Sequence, residues 1–473
     1  MKQFTKYVFI LALIVMMYQT KAQDVNQNSF TLQQAVEYAM KNSPSVVNAN
    51  NDIVAAKYRK KEIAGIGYPQ INASFDLKDF FKIPVQVIPN FVSPAVYQGI
   101  VSATTPQGQT PVYDPEKLSP DGYPPLAAAF GTKYQAGLSA SISQIIFSSD
   151  YIVALQAAKY LELMGTINAT RSKADVVAGV SKAYYTVLVN KERLVLLNSN
   201  LDRLKKLLDD TKTYNQQGFV ELIDVERLEV TYNNLLTEKE RAIRLMTLGD
   251  AALRFQMGYT GTAELTLTDV LPESIEEQEL SLAKVDPSKR PEYQLLQSTH
   301  ELNILNLKRQ KLAYLPSLVA YGNGGYNAFR SEFDIFQTGK EWYPTLVIGA
   351  TLSLKIFDGF QRHYKVQQAK LEINKGQQNL IQIQQVVNIE TSTAVANLNN
   401  AIISLKAQTR NKELAMHVQE VAQKKYLGGV GSNIEVITAE TSLKEAQTNY
   451  YNSVYDLLVA KIDYQKATGA LVK

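Results

Sequence analysis

The chain has 473 residues, no cysteine and a formal charge of +4. The missing cysteines exclude disulfides, thiolate chemistry, cysteine-bound metals and lipid attached at an N-terminal cysteine. Three of the net positive charges sit on Lys2, Lys6 and Lys21, and the remainder of the chain, at +1, gives no support to nucleic-acid binding.

Lys2 and Lys6 precede the apolar run Val8 to Met17, and the small residues Thr20 and Ala22 follow it. This pattern predicts a secretory signal over residues 1–22, cleaved after Ala22. Ten apolar residues are too few to cross about 30 Å of hydrocarbon as a helix. No later stretch holds 18 consecutive apolar residues. If the mature chain spans a bilayer, it must do so as a β-barrel.

Residues 23–258 form a first predicted repeat. Ser29 or Thr31 caps a helix whose apolar face is Leu32, Ala35, Val36 and Ala39. Asn42-Ser43-Pro44 interrupts it, and a second helix runs to about Ala64. Ile71, Ala73, Phe75 and Leu77 then alternate with polar residues, which predicts a strand over about 70–79. Residues 80–131 hold nine of the sixteen prolines and read as a long irregular loop. A second strand, about 133–146, alternates Tyr134, Ala136, Leu138, Ala140 and Ile142 with small or polar residues.

The proline-free run 150–214 predicts one helix of about 100 Å, far above the globular average of roughly 11–12 residues. Leu194, Leu197, Leu201, Leu204 and Leu208 give it a coiled-coil heptad, though an ordinary buried face uses similar positions. A turn containing Tyr214 and Gly218 leads to a returning helix over 221–257. Residues 259–288 read as a connector, with Leu265, Leu267 and Val270 in a short strand.

Residues 289–473 repeat the plan. A helix from Pro291 to about Leu312 leads to strands over about 317–325 and 345–356, the first ending in the glycine run Gly322 to Gly325. A second long proline-free helix covers 361–426. The turn Tyr426-Leu-Gly428-Gly429-Val-Gly431-Ser432-Asn433 joins it to a returning helix over 434–467.

The expected fold is therefore a membrane β-barrel combined with a long α-helical coiled-coil barrel, internally duplicated. Four strands per chain leave two open edges, which a bilayer does not tolerate, so other copies must supply strands. Three copies give twelve strands and room for a water-filled lumen, whereas eight strands can be filled by side chains. The two turns would lie together at one tip, as gate and docking end.

The duplication and the tip segments Tyr214 through Gly218 to Asp224 and Tyr426 through Gly429 to Glu435 resemble the TolC-like outer membrane factor family. The resemblance implies a homotrimer in the outer membrane of a Gram-negative bacterium, with most of the chain in the periplasm. It implies passive export in a tripartite efflux or type I secretion system. The implied partners are outer membrane lipid, a periplasmic adaptor (membrane fusion) protein and an inner-membrane transporter of RND or ABC type. In the family's best-known channel, an acid past the first tip bonds across chains to a tyrosine and an arginine at the second. Asp224 matches the acid and Tyr426 the tyrosine, but Gly431 stands at the arginine position. Of the family's two aspartates forming a selectivity ring, Glu435 matches the first and Thr438 the second. The plain structural alternative is that Asp224 and Glu435 only meet helix dipoles and that Gly218, Gly428, Gly429 and Gly431 only permit reversals.

The competing reading is a periplasmic coiled-coil adaptor without a barrel. Catalysis is not expected. The histidines are His300, His363 and His417, and they match no metal or nucleophile motif. No cofactor is expected.

Overall fold

A computed structural model describes residues 28–129, 131–261, 264–271 and 286–471. The signal segment 1–22 and part of the 259–288 connector lie outside the described residues. The chain forms two compact units. One comprises Met1–Lys60, Ala157–Ile304 and Ala369–Lys473, and the other Lys61–Gln156 and Leu305–Gln368.

The first unit is helical. It opens with β1 (Ser29–Phe30) and α1 (Leu32–Asn42). Thr31 caps α1 reciprocally with Gln34, which settles the choice between Ser29 and Thr31. Ser29 belongs instead to β1, which pairs in parallel with β6 (Thr266–Leu267). Helix α2 (Pro44–Gly65) begins on a proline whose missing N–H costs nothing in a first turn.

Four long helices follow along the chain: α5 (Ser149–Gln216), α6 (Leu222–Met257), α8 (Gln361–Leu427) and α9 (Asn433–Ala467). Two buried clusters hold the first unit together. In one, Phe30, Ala35, Val46, Val180, Tyr184, Leu253 and Met257 pack around the β1–β6 pair. In the other, the heptad residues Leu197, Leu201, Leu204 and Leu208 meet Val225 and Leu228 of α6 and Val436 of α9. Arg290 pins the same unit together through polar contacts. Its guanidinium donates to the Ala467 carbonyl at 2.7 Å and bonds Glu292 and Glu390, each at 3.1 Å.

The second unit is built on one antiparallel sheet of four strands, ordered β2 (Gln70–Asp79), β5 (Tyr134–Phe147), β7 (Ser317–Arg330) and β8 (Tyr343–Ser353). β7 does not stop at the glycine run as expected. It continues to Arg330, because Gly322 and Gly324 leave room for Ile142 and Leu346 to lean across the ladder. β8 ends at Ser353, three residues short of the expected limit.

The register gives the sheet two unlike faces. Ile71, Ile142 and Ile348 align across the strands on one, with Phe75, Leu138 and Tyr326 beside them. These apolar side chains are exposed. The other face carries Asn72, Ser141 and Asn323, and beside them Ser74 and Ser139, whose hydroxyls meet at 2.8 Å. A sheet in water buries its apolar side. This sheet does not.

The 80–131 stretch is structured, contrary to the expectation of an irregular loop. It holds the hairpin of β3 (Val85–Ile88) and β4 (Leu126–Ala129), the helix α3 (Val92–Thr104) and the single turn α4 (Pro115–Leu118). Its prolines sit at element borders: Pro84 and Pro89 bracket β3, Pro94 falls in the first turn of α3, and Pro115 starts α4. Helix α7 (Pro291–Leu312) precedes β7.

Tyr184 gives a direct test of the first cluster. It is 0% exposed, and its hydroxyl donates to the Phe30 carbonyl at 3.0 Å. That carbonyl also accepts from the Thr268 amide, so Y184F should cost only about 1 kcal/mol in thermal unfolding. Burial pushes the Tyr184 phenol above its ordinary range. The unfolded chain ionises it above about pH 10 while the folded chain does not, so stability is lost as pH rises through that value. Y184F should lose less stability than wild type above that pH, as read by far-ultraviolet circular dichroism.

Candidate functional site

The two hairpin turns supply the candidate site, and both belong to the helical unit. The α5–α6 turn closes when the Phe219 amide donates to the Tyr214 carbonyl at 2.9 Å. Gly218 there takes a φ of 77°, and Gly429 in the α8–α9 turn takes 72°. Both values lie in the left-handed region that side chains disfavour, so glycine is required for the reversals. Tyr214 is exposed.

Asp224 lies in the first turn of α6, half-buried, where an acid meets the positive helix end. Its Oδ1 stands 3.6 Å from Arg227 one turn on. Asn433, the first residue of α9, donates from Nδ2 to the Asp224 carbonyl at 2.8 Å and to Asp224 Oδ1 at 3.2 Å. Tyr426, near the end of α8, meets the Thr211 hydroxyl of α5 at 3.3 Å. The two residues that the resemblance links across chains thus each have another partner within the chain.

Gly428, Gly429 and Gly431 make the α8–α9 turn. The amides of Val430 and Gly431 both fold back onto the Lys425 carbonyl, at 3.0 and 3.1 Å. A Cβ at Gly431 would stand 2.9 Å from Lys425 Cβ and 3.0 Å from the Tyr426 nitrogen. The absent arginine is therefore also a packing fact. Ser432 caps α9 by accepting the Glu435 amide at 3.2 Å. Glu435 and Thr438 are exposed, and with Val418, Val421, Ala422 and Ile434 they line a groove of about 500 Å³ between α8 and α9.

A polar layer behind the turns escaped sequence reasoning. Arg203 of α5 grips Glu440 of α9 with two bonds of 3.0 Å, and Gln419 of α8 donates to the same carboxylate at 2.7 Å. Asn200 accepts from Arg203 and donates to Gln447, extending the layer. Arg203 and Glu440 are 237 residues apart and Asn200 and Gln447 are 247 apart, so no local pattern announces the contacts that tie the layer across helices. One signal was available for Thr211. It continues the leucine heptad with a polar residue, and it is fully buried.

Residues 306–470 match the family described as outer membrane efflux protein. The chain is 22% identical over 339 residues to the outer membrane protein TolC of Vibrio cholerae, covering 71% of this chain and 77% of that one. Among solved structures it is similar to CusC, with a TM-score of 0.69, 13% identity and 95% of each chain covered. It is likewise similar to the outer membrane protein VceC from Vibrio cholerae, with a TM-score of 0.67, 15% identity, and 93% of this chain and 96% of that one covered. At these identities the structural likeness speaks for the fold.

The polar layer is open to a direct test. Glu440 has a side-chain exposure of only 9%, so R203A would leave its charge facing the Gln419 amide without a cation. R203A should cost about 3 kcal/mol in thermal unfolding, and the apolar double variant R203M/E440L markedly less. Equal losses in the two would show that the charge pair itself is not what matters.

Proposed function

We propose that this chain, whose residues 306–470 match the outer membrane efflux protein family, is the passive exit channel of an efflux or secretion assembly, placed in the outer membrane of a Gram-negative bacterium. Channels of this family are not enzymes. One observation carries the membrane part: the four-stranded sheet exposes apolar side chains from all four strands on one face and carries mostly polar or small residues on the other. That pairing suits a barrel wall between lipid and water. It also disfavours a periplasmic adaptor without a barrel, because such a protein would expose this face to water for no gain.

The sheet's edges, β2 and β8, are each paired on one side only among the described residues. Unpaired backbone is not tolerated in hydrocarbon, so a barrel must be closed by further copies. Three copies make twelve strands, enough for an aqueous lumen. The duplicated plan of 23–258 and 289–473, joined by the connector, would surround that lumen twice per copy. The long helices would carry the conduit about 100 Å into the periplasm, as befits α5 with its 68 residues. There the turns would meet an adaptor and, through it, a transporter that supplies the energy.

In this reading Asp224 and Tyr426 belong to the gate at the turns. Glu435, exposed on each copy, would ring the lumen with negative charge and favour cations. Thr438 adds no second ring.

Planar-bilayer recording of the purified protein tests these assignments. Wild type should show a small cation-selective conductance, raised several-fold in D224A and Y426F. E435A should lose most of the selectivity while still conducting. Unchanged selectivity in E435A would remove Glu435 from the filter, and absence of conductance throughout would remove the channel reading.

A further inference from the structure

We propose that Asn433 is the latch of the gate, holding the two hairpin turns of one chain together through Asp224. The inference rests on the channel reading above and adds to it a residue and a mechanism. Asn433 is 4% exposed although it starts a helix beside a solvent-facing turn. Its amide group spans from α9 to α6 and supplies both hydrogen atoms to Asp224, one to the carbonyl and one to the carboxylate. Both groups that it meets are acceptors, so the amide nitrogen must face them. The ionic alternative is closed in this chain, because Gly431 has no side chain and its Cβ position is already filled by Lys425. Arg227 approaches Asp224 from the same helix and so ties nothing across the hairpins.

The latch is poised rather than tight. Asn433 Oδ1 is buried without a hydrogen-bond partner. A stranded buried acceptor opposes the bonds that the nitrogen makes, and water satisfies it as soon as the turns separate. The hold is two hydrogen bonds, one of them charge-assisted, offset by one unsatisfied oxygen. A partner docking at the turns therefore needs little interaction energy to release it.

The test is bilayer conductance of the full-length purified protein. N433A should raise the conductance about tenfold, the factor expected when one net hydrogen bond to a charged group is lost. N433D should raise it at least as much, because it sets an oxygen against the oxygens of Asp224. N433A/D224A should conduct no more than either single variant, since both changes cut the same tie. The chain has no cysteine, so D224C/N433C offers a check independent of these substitutions. Joined by a short thiol cross-linker, verified by mass, it should return to the low wild-type conductance, and without the linker it should stay high. An N433A channel that stays at the wild-type level while D224A opens would overturn the latch and leave the channel intact. So would a linked D224C/N433C channel that conducts like the unlinked one. If neither wild type nor D224A conducts, the channel reading fails and the latch falls with it.

Discussion

Every backbone N–H and C=O in a hydrocarbon layer must find a partner within the protein, and much of this molecule is arranged around that demand. The β2–β5–β7–β8 sheet answers it on the inner ladders and leaves two open rows. A small cluster of Ala136, Ala328 and Ile335 covers one end of its apolar face, and Ile71, Phe75, Leu138, Ile142, Tyr326 and Ile348 stay exposed on the rest. Such a sheet is incomplete as a single chain. The helical unit behaves differently: it has its own buried clusters, closed by leucines on α5 and α6 and, in one of them, by Val436 and Ala439 of α9. One part of the chain thus resembles an ordinary soluble fold, and the other exposes an apolar sheet face and two strand edges that are unpaired among the described residues.

Much of this was legible in the residues. Long helices announce themselves where proline is absent over sixty residues, and α5 and α8 fill those stretches almost to their ends. Alternation marked the strands, because a period of two is hard to produce otherwise. Two local inferences failed for identifiable reasons. Gly322 to Gly325 suggested a strand end, yet cross-strand side chains from Ile142 and Leu346 occupy the space that glycine leaves. Nine prolines suggested disorder of pattern between β2 and β5, yet most of them stand where strands and helices begin or stop. Proline counts mislead when position is ignored.

The candidate site was legible only in part. Turn glycines and their flanking acids stand out along the sequence, because each is tied to its own turn. The contacts that hold the turns together do not. Asp224 and Asn433 are 209 residues apart, and Arg203 and Glu440 are 237 apart. Pairings at that separation are made by the packing of whole helices, which no local window reports. Asn433 was easily passed over, because asparagine at a helix start has an ordinary reason to be there.

Gly431 has a consequence for how this turn can change over generations. Its neighbours Lys425 and Tyr426 have closed over the place where a side chain would emerge. A single codon change to arginine would deliver a long cation into occupied space, so the ionic lock cannot be regained in one step. The turn would first have to lengthen or shift. Until it does, substitution can change how the two turns are held only through the contacts already present, such as those of Asn433 with Asp224 and of Tyr426 with Thr211.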